Sequence, residues 1–231
     1  MIQALTGTSL IEYPGKISSV IFISGCNLLC PFCHNPELVL PSLLRGEYAL
    51  EPDFVINELI RREGFIEAVC ITGGEPLLFS GLEDLIHRIR SETDLLIKVD
   101  TNGTLPDNLR KISDIVDYIA MDLKSSPSSY PAATGEKAVF EDVRESVGIV
   151  KGLPMHEFRT TMVPGLVTKE DVIELLELIG PLGRYVLQRF RSLKTLAPEL
   201  IDTVSYPNHY LEETADRIRS LGLADDVTLR I

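Results

Sequence analysis

The sequence predicts an α/β fold of parallel strands covered by helices, in the form of an open, partial (β/α)6 TIM-like barrel. Three observations point to it. Short β-branched runs alternate with amphipathic helical stretches along the chain, and runs apolar on both faces suit strands buried between helices. The 231 residues accommodate six βα units with right-handed crossovers, whereas eight would need most of the length of a full barrel. No internal repeat, low-complexity tract or polar linker interrupts the chain, which favours one domain over residues 1–231. A doubly wound sheet is the alternative architecture.

The elements follow in order. Strand candidates are Ile17–Ser24, Glu67–Thr72, Leu95–Val99, Val116–Met121, Glu157–Val163 and Arg184–Phe190, with a further terminal strand near Val227–Ile231. After Glu51-Pro52-Asp53, residues Val55, Ile56, Leu59 and Ile60 form one helical stripe, with proline where a first turn tolerates it. Leu82, Leu85, Ile86 and Ile89 repeat that pattern. Thr168 with Asp171 reads as a capping box ahead of Val172, Leu175, Leu176 and Ile179.

Composition narrows the class of function. At 45% hydrophobic and 24% charged residues the chain is globular, which excludes long disorder. The four cysteines are too sparse for a disulfide scaffold. Lys and Arg number 22 against 34 Asp and Glu, a formal net charge of −12, and with no local basic patch such a chain repels nucleic acid. The first sixteen residues have no basic region before an apolar stretch, so no secretory signal is expected. Ile17–Pro36 lacks Asp, Glu, Lys and Arg, the length of a membrane span. Its glycine, prolines, cysteines, His34 and asparagines exclude a lipid-facing helix. A cytoplasmic protein is expected.

In parallel α/β folds ligands lie at the carboxyl ends of the strands, so chemistry belongs just after each one. Immediately after the first strand candidate comes Gly25-Cys26-Asn27-Leu28-Leu29-Cys30-Pro31-Phe32-Cys33-His34-Asn35. Three thiols at spacing Cys-x3-Cys-x2-Cys can curl around one centre, and Gly25 and Pro31 suit the turn. Structural zinc wants four protein ligands, which would recruit His34 or Cys70. A [4Fe–4S] cluster held by three cysteines leaves one iron open. A disulfide is the third alternative. Cys70 lies inside the second strand and reads as a small buried hydrophobe.

This loop resembles the signature of the radical S-adenosylmethionine (SAM) enzymes. The stretch SLIEYPGKISSVIFISGCNLLCPFCHNPEL, Ser9–Leu38, is similar to the anaerobic ribonucleoside-triphosphate reductase activating proteins, which are glycyl-radical enzyme activases. The resemblance implies that Cys26, Cys30 and Cys33 bind three irons and that SAM chelates the fourth. It implies SAM contacts from Phe32 and His34. It further implies one-electron cleavage of SAM to a 5′-deoxyadenosyl radical, which removes a glycine Cα hydrogen from a large partner reductase. An electron donor of the flavodoxin or ferredoxin kind belongs to that chemistry. A small-molecule radical SAM enzyme of the 7-carboxy-7-deazaguanine synthase kind is the second reading. The chain has no cysteines for an auxiliary cluster.

The remaining strand ends carry further candidates. Thr72-Gly73-Gly74-Glu75-Pro76 places two glycines that let a ligand approach the backbone, before a carboxylate that can accept from an amine. It resembles the GGE motif that holds the SAM amino group. Asp100-Thr101-Asn102-Gly103 and Asp122-Leu123-Lys124 place carboxylates that could ligate a hard cation or orient nucleoside hydroxyls. The resemblance makes Asp100, Thr101, Asp122 and Lys124 part of a SAM pocket that can hold a monovalent cation. Arg159, on a strand with Phe158 and Met162, is an inward charge seeking a carboxylate, whether that of SAM or of a structural ion pair. Arg191 stands where similar activases often have a histidine. His87, His156 and His209 have no clustered partners and read as surface or cap residues.

Overall fold

The computed structural model describes residues 1–40 and 49–231. Eight strands run in chain order across one sheet, β1-β2-β3-β4-β5-β6-β7-β8. They are β1 Ile2–Tyr13, β2 Lys16–Ile23, β3 Ala68–Gly73, β4 Leu96–Thr101, β5 Tyr118–Asp122, β6 His156–Met162, β7 Leu182–Arg189 and β8 Ala224–Arg230. The helices are α1 Pro36–Val39, α2 Pro52–Arg62, α3 Leu82–Glu92, α4 Pro106–Ser113, α5 Tyr130–Thr134, α6 Phe140–Lys151, α7 Lys169–Ile179 and α8 Asn208–Ser220. From β2 to β7 each strand is followed by at least one helix, which gives the six expected βα units, and β8 is the expected terminal strand.

The chain packs as two compact units. The first comprises Met1–Asn27, Glu37–Thr101 and Asp107–Ala120; the second comprises Leu28–Pro36, Asn102–Pro106 and Met121–Ile231. In the first, β2, β3 and β4 pair in parallel, with Val20 opposite Cys70 and Cys70 opposite Lys98. On one face of these strands Ile21, Val69, Ile71, Ile97 and Val99 are fully buried. Helix α2 starts with the expected proline in its first turn and buries Val55, Ile56 and Leu59, whereas Ile60 turns outward and is 40% exposed. Helix α3 buries all four expected residues. In the second unit β6, β7 and β8 pair in parallel, with Phe158 opposite Tyr185 and Tyr185 opposite Val227. The capping box of Thr168 and Asp171 forms as expected, and α7 buries Val172, Leu175 and Leu176.

Strand β1 was not expected. It pairs antiparallel with β2, Tyr13 opposite Lys16, through a two-residue turn in which Gly15 takes φ +73. Proline followed by a left-handed glycine is a turn signature, so Pro14-Gly15 was the legible sign. The apolar pattern concealed the strand, because Leu10 and Ile11 are 72% and 80% exposed.

Candidate active site at the strand ends

In the first unit the loop after β2 and the loop after β3 interlock. Gly74 N donates to Ile23 O at 2.9 Å, Glu75 N to Gly25 O at 2.8 Å, and Gly25 N to Leu38 O at 2.7 Å. Gly73 takes φ +126, and a Cβ there would stand 2.2 Å from Ile23 O. At Gly74 a Cβ would stand 2.1 Å from Gly25 O and 3.3 Å from Cys26 Cβ. The sequence assigned these glycines to ligand approach. In the folded chain they admit the protein's own backbone and thereby fix the turn that carries Cys26. Glu75 is completely buried. Its Oε1 accepts from Leu77 N at 3.1 Å and from Thr101 Oγ1 at 2.8 Å. Asp100 accepts from Thr72 Oγ1 at 3.1 Å and pairs with Lys98 Nζ at 2.5 Å. Lys98, inside an apolar strand, was not singled out from the sequence. Only its spacing two residues before Asp100, on the same face of β4, could have marked it.

Cys70 behaves as expected. It is fully buried, and desolvation pushes its thiol up to about 12, so it stays protonated beside Ser18, 3.8 Å away. None of the four cysteines forms a disulfide.

In the second unit the rest of the cysteine loop is tied down by its backbone. Leu29 N donates to Thr134 O at 3.0 Å, Cys33 N to Cys30 O at 3.0 Å, and Ala197 N to Pro31 O at 2.9 Å. Cys30 and Phe32 are buried, Cys33 is half-buried and His34 is more open. The His34 ring lies 6.0 Å from that of Phe190. Desolvation lowers its pKa, a backbone bond with Lys194 opposes this, and the charges of Arg191 and Lys124 lower it further.

Arg159 finds its carboxylate within the chain. Its Nε donates to Asp122 Oδ1 at 2.7 Å, and Lys124 Nζ donates to Asp122 Oδ2 at 2.9 Å. Desolvation would raise the Asp122 carboxyl, but Arg159 and Lys124 together hold it well below the ordinary range. Burial works against the Lys124 ammonium, yet Asp122 and then Cys30 raise its pKa above the ordinary lysine value. Arg191 follows β7, exposed. His87 approaches Glu83 on the surface at 4.0 Å and His156 meets Leu153 O at 2.9 Å, which matches their expected surface and cap roles.

Among the described residues, no three His, Cys, Asp or Glu side chains stand close enough together to hold a metal ion. Three thiols lie within eight residues. Cys26 is set by the glycine interlock, and Cys30 is among the groups that raise the pKa of the Lys124 ammonium. A set of three thiols is the donor chemistry that an iron–sulfur cluster takes.

Residues 20–179 match the model of the radical SAM superfamily, more than half of the chain. The chain belongs to the radical SAM superfamily. It is an enzyme of that kind, and its cofactors are a [4Fe–4S] cluster and SAM. A Methanocaldococcus jannaschii protein named as a glycyl-radical enzyme activating enzyme is 29% identical over 197 residues, 82% of this chain and 80% of that one. A 7-carboxy-7-deazaguanine synthase of Methanothermobacter thermautotrophicus is 36% identical over 110 residues, but these make up 48% of this chain and 42% of the synthase. Streptococcus suis SuiB bound to S-adenosylmethionine superposes with a TM-score of 0.64 at 14% identity, over 90% of this chain and 51% of SuiB. That likeness shows the fold, the α/β class expected from the alternation of strands and helices. Among the described residues no helix is long and apolar enough to cross a membrane.

Proposed function

We propose that this enzyme is an activase that installs a glycyl radical on a large partner protein, anaerobic ribonucleotide reductase. The observation that carries the reading is the near end-to-end match with a glycyl-radical enzyme activating enzyme, 82% of one chain on 80% of the other. The choice of reductase rests on the resemblance of Ser9–Leu38. The proposal treats residues 1–231 as one cytoplasmic radical SAM domain that receives electrons from a flavodoxin or ferredoxin.

Cys26, Cys30 and Cys33 would hold the cluster. When bound, cluster and SAM supply one-electron reductive cleavage of the sulfonium and, with it, hydrogen-atom abstraction. The residues of the chain bind and orient. Glu75, held through Oε1 by Leu77 and Thr101, offers its carboxylate to the SAM ammonium. Asp100 and Thr101 meet nucleoside hydroxyls. Lys124 and Arg159, which meet at Asp122, would offer neighbouring cations to the methionyl carboxylate. Phe32 and His34 flank the loop, and Arg191 supplies a further cation after β7.

The test is anaerobic. Reconstituted enzyme, reducing donor, SAM and the reductase are mixed, 5′-deoxyadenosine is quantified, and the reductase is examined by EPR. A glycyl-radical doublet with stoichiometric 5′-deoxyadenosine supports the proposal. Product without a protein radical would favour the small-molecule reading that the deazaguanine synthase likeness suggests, and no SAM cleavage would end both.

A further inference from the structure

Lys98 belongs to no role described above. It sits mid-strand in β4 between Ile97 and Val99, opposite Cys70 on β3, and its side chain is 1% exposed. An ammonium taken that far from water is strongly disfavoured unless it is paired. A hydrophobic residue of similar volume would serve stability as well or better. Its Nζ reaches Asp100 Oδ1 at 2.5 Å, while the other oxygen of that carboxylate accepts from Thr72 at 3.1 Å. Asp100 is thus gripped from below by a fixed cation and from the side by a hydroxyl of β3. Two residues apart on one strand, Lys98 and Asp100 share a face, and the pair is the charged interruption of an otherwise apolar run.

We propose that Lys98 is a positioning residue, a resident counter-ion that holds the Asp100 carboxylate in one rotamer so that it serves SAM without a monovalent metal ion. The proposal rests on the assignment of Asp100 to the SAM pocket. The expense of burying a lysine is then explained by function: the ammonium occupies the place where a free cation would otherwise have to bind, and it cannot dissociate.

Three chains test it: wild type, Lys98→Met and Lys98→Ala, each reconstituted. SAM affinity is measured by equilibrium dialysis in tetramethylammonium buffer, in potassium buffer, and with added methylamine. Wild-type affinity is expected to be the same in all three. Lys98→Met should lose roughly tenfold or more in tetramethylammonium, the scale of a charge-assisted bond. Lys98→Ala should recover a large part of that loss with methylamine or potassium, a response that a merely structural role would not give. Wild-type binding that requires potassium would overturn the proposal, whatever the variants do. So would unchanged affinity in Lys98→Met, or a loss in a folded Lys98→Ala that no cation restores. Asp100→Asn separates the two levels of argument. Normal SAM affinity in that variant refutes the pocket assignment itself, whereas weakened affinity there beside an unaffected Lys98→Met leaves the assignment standing and sinks the counter-ion.

Discussion

Gly74→Ala should disable the site without touching any group that performs chemistry. The added Cβ would stand 2.1 Å from Gly25 O and 3.3 Å from Cys26 Cβ, whereas unstrained contacts lie near 3.5–4.0 Å. The first neighbour is backbone, so the two loops must part by more than about 1 Å. Overpacking of this kind costs about 1–3 kcal/mol. Separation also breaks the Glu75 N to Gly25 O bond of 2.8 Å, worth about 1 kcal/mol net. The sum is roughly 2–4 kcal/mol, or about 4–16 °C in melting midpoint for a chain of this size. Gly148→Ala is the control. That glycine lies mid-helix in α6, and its added Cβ would meet nothing within 4 Å, so the change should stabilise by about 0.5–1 kcal/mol. Thermal melts and iron per chain after anaerobic reconstitution are the assay. Gly74→Ala should melt low and bind substoichiometric iron, while Gly148→Ala melts slightly high with full iron. A Gly74→Ala protein with wild-type midpoint and full iron would refute the claim that the glycine interlock sets Cys26.

Other consequences can be checked by similar means. Cys26→Ala, Cys30→Ala and Cys33→Ala should each abolish the iron–sulfur absorption, whereas Cys70→Ala should keep it, since that thiol is protonated and buried. Asp122→Asn leaves Lys124 and Arg159 facing each other without the carboxylate between them, and should cost about 2–3 kcal/mol by denaturant unfolding, less than for a wholly buried pair because Asp122 is 29% exposed. The folded-state pKa of Asp122 is depressed, so its stabilisation is complete above the unfolded value near 4 and is lost as the pH falls through the lower folded value. The acid limb of the stability profile below about pH 4 should therefore flatten in Asp122→Asn. Thr168→Ala removes the hydroxyl that accepts from Asp171 N and should cost about 1 kcal/mol while SAM affinity is retained.

Much of this architecture was legible because its signals are local. The β-branched runs, the proline opening α2 and the Thr168–Asp171 box each depend on neighbours within a few residues, and each appears where expected. Strand β1 escaped because an edge strand with one solvated side shows an apolar pattern only in part, and two of its aliphatics face outward. Ile60 fits the stripe of α2 by period and is nevertheless exposed, since period fixes angle but not where the neighbouring surface ends. At the site, the positions of the cysteines and of Glu75, Asp100 and Asp122 could be read from the strand ends that precede them. Their partners could not. Which cation meets which carboxylate depends on strand register, so Lys98 passed as an ordinary strand residue and Arg159 was left to choose between a ligand and a structural partner.

That choice has a measurable consequence. Arg159 meets Asp122 at 2.7 Å and stands 4.0 Å from Glu157, and Lys124 meets the same Asp122 carboxylate at 2.9 Å. Two neighbouring cations suit the methionyl carboxylate and no other part of SAM, since the sulfonium and ammonium are cations and the nucleoside is neutral. Decarboxylated SAM keeps all of these and lacks only the carboxylate. Arg159→Met should therefore weaken SAM binding by roughly tenfold or more, the scale of a lost charge-assisted bond, and leave decarboxylated SAM almost unaffected. Isothermal titration of both ligands against wild type and variant closes the cycle. If both ligands weaken equally, Arg159 acts through the fold and its charge is not what SAM recognises.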